Sequence, residues 1–183
     1  MGNRIRVISP VDGKVYVERA LAGEAEIAAA LERAARAQQA WRETSVAERA
    51  AILGRAVDAF VARREEIARE LTWQMGRPIR YAPNEVGGFE ERARYMIEAA
   101  QEALADVEVG DKPGFTRFIR KVPLGVAFVI APWNYPYLTA VNGVVPALLA
   151  GNAVILKHSA QTPLCAERIG EALAAGGLPA GVF

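Results

Sequence analysis

The chain has 183 residues, 52% of them hydrophobic, which is enough for one core of ordinary size and suits one domain or slightly more. Its 22 basic and 21 acidic residues leave a formal net charge of +1, so no broad field of one sign exists to draw in nucleic acid or an anionic membrane surface. The single cysteine, Cys165, cannot form an internal disulfide, no apolar run reaches the ~20 residues of a membrane span, and the start MGNRIRVISP lacks the pattern of a secretory leader. Together these predict a cytoplasmic setting.

The opening stretch IRVISPVDGKVYVERALA alternates branched and polar residues around Pro10, Asp12 and Gly13, which predicts two short strands joined by a turn. From Glu24 the spacing becomes helical, with Ile27, Leu31, Ala34, Ala35, Gln38 and Trp41 on one stripe and Glu32, Arg33 and Arg36 opposite, predicting a helix over 24–42. Ser45, followed three residues later by Glu48, reads as a capping box that opens a longer helix. Its apolar side carries Ile52, Leu53, Val57, Phe60, Ile67, Leu71 and Met75, it stops at Gly76 and Pro78, and Arg63 to Glu66 read as its solvated face. A third helix over 84–104 would present Phe89, Ala93, Met96, Ile97, Ala100 and Leu104, with Gly87 and Gly88 weakening its first turns.

Residues 106–113 are polar and contain Gly110 and Pro113, reading as a linker, and TRFIRKV then predicts an exposed strand. GVAFVIAP is nearly all apolar and β-prone, as expected of a strand covered on both faces in a parallel sheet. A helix disturbed by Gly143 and Pro146 follows, then NAVILKHS as a second buried strand, giving a β, helix, β unit. A last helix over 163–175 ends at Gly176 and Gly177, and Gly181 to Phe183 predict the start of a third strand.

Neither the spaced-glycine dinucleotide fingerprint nor the phosphate loop ending in Gly-Lys-Ser/Thr occurs. A histidine-based metal site or a Ser-His-Asp triad would have to rest on His158 alone, so no metal is expected. Cys165, among Leu164, Ala166 and Ile169, reads as a core thiol. The segment Ala131 to Pro136 differs: Trp133, Asn134 and Tyr135 stand between two prolines directly after a buried strand, where α/β folds place ligands. Pro136 suits the first turn of the next helix, which leaves Asn134 on a stiff turn. An amide fixed there can donate to a developing oxyanion without reorganising. Local pattern also allows the simpler reading that Asn134 only caps the helix.

PLGVAFVIAPWNYP and PALLAGNAVILKHSAQTP together resemble the aldehyde dehydrogenase family. VISPVDGKV is similar to that family's first hairpin and AARAQQAWRETSVAERAAIL to its first two helices, so the resemblance covers essentially the whole chain. It implies an α/β fold: an incomplete Rossmann-like parallel-sheet cofactor domain (residues 1–106 and 124–183) with amino-terminal helices. Residues 107–123 would be the linker and strand of an oligomerisation arm, with the catalytic domain absent. By resemblance, Asn134 is the oxyanion donor. Ile130, Ala131, Pro132, Trp133, Lys157, Ser159 and Ala160 line the NAD or NADP cofactor, Lys157 at the adenosine ribose. Tyr135, Leu138 and Asn142 correspond to the substrate tunnel.

The sequence departs from the family pattern twice. Ala160 stands where members preferring NAD often carry a glutamate for the ribose 2′-hydroxyl, a carboxylate that would repel a 2′-phosphate, so NADP should be at least tolerated. His158 replaces a common proline, and no chemistry is assigned to it. The family's cysteine nucleophile, its water-activating glutamate and its pyrophosphate turn have no counterpart here, Cys165 lying in the helix after Lys157. The resemblance therefore implies the amino-terminal fragment of an enzyme that oxidises an aldehyde to a carboxylic acid through a cysteine thiohemiacetal and hydride transfer. The fragment alone is expected to be inactive and the full-length protein a homo-oligomer. A non-catalytic nucleotide-binding or oligomerisation module, or a fragment of an acyl-phosphate or acyl-CoA reductase of the same superfamily, remains the alternative.

Overall fold

A computed structural model describes residues 4–183. Strands β1 (Arg4–Ile8) and β2 (Val15–Ala20) pair antiparallel, as their alternation predicts, with an irregularity between Val7 and Ile8. Helix α1 (Glu24–Trp41) follows, but only the second half of its stripe is covered. Ala34, Gln38 and Trp41 are buried, whereas Ile27 and Leu31 are 51% and 48% exposed because nothing among the described residues packs over the first turns.

The single helix expected after Ser45 is two, α2 (Val46–Val61) and α3 (Arg64–Met75). The capping box at Ser45 forms as expected. No proline or glycine marks the break, so helical spacing runs straight through it. A tertiary interaction accompanies it instead: Arg63 pairs with Glu66 at 2.7 Å and also with Glu171 of the last helix. Glu65 and Glu66 then lie in the first turn of α3, where carboxylates favour a helix start. The Arg63 to Glu66 run is therefore a junction and not merely a solvated face. Gly76 ends α3 at φ 79°, a left-handed position that glycine adopts without strain.

Helix α4 (Pro83–Ala103) lies close to its predicted span. The expected exposed strand forms as β4 (Phe118–Ile119), and the expected linker contributes a second exposed strand, β3 (Val107–Glu108), that pairs with it as a minimal antiparallel hairpin. Strand β5 (Val126–Ile130), helix α5 (Pro136–Leu149) and strand β6 (Ala153–Lys157) form the expected parallel unit, in register from Val126 opposite Ala153 to Ile130 opposite Lys157. Helix α6 (Leu164–Ala175) follows. No strand forms at 181–183: Gly181 turns the chain at φ 86°, leaving one ladder-like bond in which Val182 O accepts from Val154 N at 2.8 Å.

Strand β5 is not covered on both faces. Ala127 and Val129 pack on the helical core, while Phe128 and Ile130 are 63% and 66% exposed. Burial on that second face persists only near the start of β6, at Ala153, because no described element packs over its upper half.

Helix α5 is the centre of the molecule. Phe60 and Phe89 meet at a tilt with ring centres 4.3 Å apart, and Phe60 meets Tyr137 edge-on at 5.0 Å, each buried phenylalanine ring contributing about 2–3 kcal/mol of hydrophobic stabilisation. Gly143 lets α5 lie against β5, since a Cβ there would come within 2.9 Å of Val129 Cγ1. The carboxyl end of α5 is held by side chains from α1 and α2: Trp41 Nε1 donates to Leu148 O at 3.1 Å and Arg49 Nε to Leu149 O at 2.7 Å. Arg49 satisfies a carbonyl that the helix end leaves unpaired and its cation complements the helix dipole, while Trp41 adds a second donor to Leu148 O, which also accepts from Gly151 N at 3.0 Å. Among the described residues no helix is long and apolar enough to cross a membrane.

Candidate active site

The carboxyl ends of β5 and β6 lie side by side, which brings the segments 130–134 and 157–160 together as two adjacent loops. Ala131 N donates to Lys157 O at 3.2 Å, one step beyond the last ladder pair, Ile130 opposite Lys157. Residues opposite each other in a parallel ladder point to the same face, so the Ile130 and Lys157 side chains share the open face of the sheet. Ala131 is buried beneath them, Pro132 half-buried, and Trp133, Asn134 and Tyr135 exposed.

Asn134 is not the helix cap that local pattern allows. Tyr135 occupies the N-cap position of α5, and no side chain of that position closes the helix. The cap comes from α4: Glu85 Oε2 accepts from Tyr137 N at 3.1 Å and from Leu138 N at 3.3 Å. The other carboxylate oxygen accepts from Arg77 Nη1 at 3.0 Å, and Arg77 Nη2 donates to the Asn134 carbonyl at 2.9 Å. The same guanidinium lies 5.1 Å from the centre of the Tyr135 ring. Asn134 is thus gripped by its backbone while its residue surface stays in solvent, the arrangement an amide donor needs.

The second loop is tied to the first through His158, which is buried while Lys157 beside it is exposed. Its Nδ1 accepts from Ser159 N at 2.9 Å, which leaves Nε2 as the protonated nitrogen, 3.3 Å from Pro136 O. Thr162 Oγ1 lies 3.2 Å from the same Nδ1 and can donate to it. Burial lowers the His158 pKa, the Lys157 charge adds to the effect, and the bond to Pro136 opposes it. The imidazole is a neutral strut between the loops. Ser159 Oγ accepts from Gln161 N at 3.2 Å, and Ala160 at the loop tip is exposed.

The three residues expected at the substrate tunnel lie on the N-cap and first two turns of α5. Tyr135 is exposed under Arg77, and Leu138 leans on α4, where a Cβ at Gly88 would meet its Cδ1 at 3.0 Å. Asn142 turns its amide back to Leu138 O at 2.8 Å. Cys165 is fully buried, and burial pushes its thiol far above the usual range, so it remains a thiol at neutral pH. Among the described residues no cluster of His, Cys, Asp and Glu could hold a metal ion.

Sequence reasoning passed over Arg77, Glu85 and the strut role of His158. Glu85 left one signal: a carboxylate one turn before Phe89 on the apolar stripe of α4, where an acid must find buried donors. Asn152 was also passed over; its Oδ1 accepts from Leu124 N at 2.7 Å and Gly125 N at 3.0 Å and so sets the start of β5 against β6.

The model of the Aldehyde dehydrogenase family matches residues 1–183. The chain is 34% identical over 184 residues to succinate-semialdehyde dehydrogenase [NADP(+)] 1 of Mycobacterium tuberculosis, covering 98% of this chain and 40% of that protein. It is 33% identical over 182 residues to glutarate-semialdehyde dehydrogenase of Pseudomonas putida, covering 100% of this chain and 38% of the relative. The crystal structure of an aldehyde dehydrogenase from Brucella melitensis biovar abortus 2308 superposes with a TM-score of 0.92 at 30% identity, over 98% of this chain and 37% of that one. The chain thus spans about 40% of the length of the curated relatives it matches.

Proposed function

Since the chain belongs to the aldehyde dehydrogenase family, we propose that its 183 residues form the amino-terminal, cofactor-binding part of an enzyme that oxidises an aldehyde to a carboxylic acid with NAD or NADP. The observation that carries this reading is the pair of adjacent loops after β5 and β6, with Asn134 clamped by its backbone on the first and Lys157 exposed at the start of the second. In this reading Asn134 Nδ2 donates to the aldehyde oxygen as that oxygen becomes an anion, lowering the barrier by about 3 kcal/mol. The attacking cysteine thiolate and the water-activating glutamate come from residues outside these 183, since Cys165 is buried and protonated.

The cofactor, when bound, accepts the hydride. The residues present fit it: an exposed lysine and uncrowded loop backbone lie at the carboxyl ends of two parallel strands, where α/β sheets bind nucleotides. Ile130, Ala131, Pro132 and Trp133 form one wall, and Lys157, Ser159 and Ala160 form the other. Lys157 supplies the positive charge at the ribose, and Ala160 places no carboxylate against a 2′-phosphate. Tyr135, Leu138 and Asn142 supply at most the entrance of the substrate path. Residues 107–123 act as the arm toward an oligomerisation domain, which makes the whole enzyme a homo-oligomer.

Steady-state titration of the whole enzyme with both cofactors, using succinic and glutaric semialdehydes as substrates, tests the reading. The expected result is NADP used at least as well as NAD. A tenfold or larger preference for NAD contradicts the role given to Lys157 and Ala160. The isolated 183-residue chain should reduce neither cofactor with any aldehyde, and turnover by it would overturn the assignment of the nucleophile.

A further inference from the structure

The oxyanion donor sits on a turn whose geometry is set by two residues elsewhere in the chain. Pro136 has no N–H, and Tyr135 at the N-cap makes no side-chain cap, so α5 begins with unpaired donors at Tyr137 and Leu138. Both are satisfied by Glu85, whose side chain is 1% exposed. A carboxylate at this position also meets the positive end of the helix dipole. Arg77, its side chain 15% exposed, then bridges Glu85 Oε1 and the Asn134 carbonyl with two nitrogens of one planar fork. A guanidinium holds such a geometry where an ammonium cannot, because its donors are fixed relative to one another.

Resting on the proposed role of Asn134, we infer that Arg77 and Glu85 are positioning residues for the oxyanion donor. Glu85 fixes the axis and first turn of α5, and Arg77 fixes the Asn134 peptide against that turn. The Asn134 amide thereby reaches the anion without rearranging. Misplacing a group by about 1 Å can cost two orders of magnitude in rate, so this clamp acts on kcat more than on substrate binding.

A double-mutant cycle in the whole enzyme tests the inference. Arg77→Lys retains the charge and loses the fork; Glu85→Gln retains the shape and weakens the cap. Each should lower kcat about 10-fold with little change in KM for the cofactor, and each should lower it less than about 2-fold in an Asn134→Ala background, because residues that act through one another are not additive. Melting temperatures recorded in parallel identify a variant that has lost its fold, in which case the other variant decides. A merely structural clamp would lower kcat by the same factor with and without Asn134, and equal factors would overturn the inference. If Asn134→Ala itself leaves kcat unchanged, the proposed role of Asn134 fails, whereas a damaging Asn134→Ala beside a harmless Arg77→Lys and Glu85→Gln sinks only the clamp.

Discussion

The loop after β5 and the hairpin of β3 and β4 both leave large side chains in solvent, yet they are built in opposite ways. Trp133 and Tyr135 in the loop are 49% and 52% exposed, much like Phe118 and Ile119 in the hairpin at 47% and 59%. The loop nevertheless has backbone anchors from Arg77, and Glu85 and His158 hold the helix start directly after it. The hairpin has a two-residue ladder, an ion pair of Arg120 with Asp106 at 2.7 Å, a bond from Lys121 to Ala103 O at 2.8 Å and, toward its tip, a bond from the Arg117 side chain to Gly110 O and a bridge between Lys112 and Phe115, all made by exposed groups. Exposure alone therefore does not identify a site. In the proposed reading, exposure on a backbone fixed by buried polar groups marks the site, because such groups present a side chain without reorganisation.

That contrast can be broken or sharpened by substitution. Glu85→Ala should have the largest effect on stability, about 3 kcal/mol, since two helical N–H groups and Arg77 lose their buried acceptor. Urea unfolding measures it, and a loss below about 1 kcal/mol would mean that water replaces the cap freely. Trp41→Phe removes one bond to the end of α5 and leaves a cavity where part of the buried indole packed, so the same measurement should show about 2 kcal/mol.

A smaller effect is expected from His158, and its sign follows from burial. The folded pKa lies below the unfolded value of 6.5, so the folded state resists protonation. Stability is fully present above the unfolded pKa and is lost as pH falls through 6.5 toward the folded pKa. Unfolding curves between pH 8 and 5 should show this decline in the native protein and less of it in His158→Gln. Identical pH profiles would remove the neutral strut from the account. Phe118→Ser in the hairpin should cost least, under about 0.5 kcal/mol, and a loss above 1 kcal/mol would erase the contrast.

Much of the fold was legible because its signals are local. The alternation before Gly13, the Ser45 capping box and the apolar runs around the β5, α5, β6 unit all lie within a few residues of what they specify. The break between α2 and α3 was not, because it involves Arg63 and Glu171, which only the folded chain brings together. The bare face of β5 was hidden for a related reason: an apolar run states what a strand can bury, not what is there to cover it. At the proposed site, resemblance to a family pointed to Asn134 and Lys157, while Arg77 and Glu85 were passed over, since their bonds reach a helix start more than fifty residues further along the chain.

The central claim is that Asn134 is presented to a developing oxyanion. Single-turnover hydride transfer in the whole enzyme, compared between the native protein and Asn134→Ala at saturating NADP and aldehyde, tests it most directly. The account predicts a rate lower by about two to three orders of magnitude, with cofactor affinity and melting temperature unchanged. A hydride-transfer rate within a factor of two of the native one would contradict it.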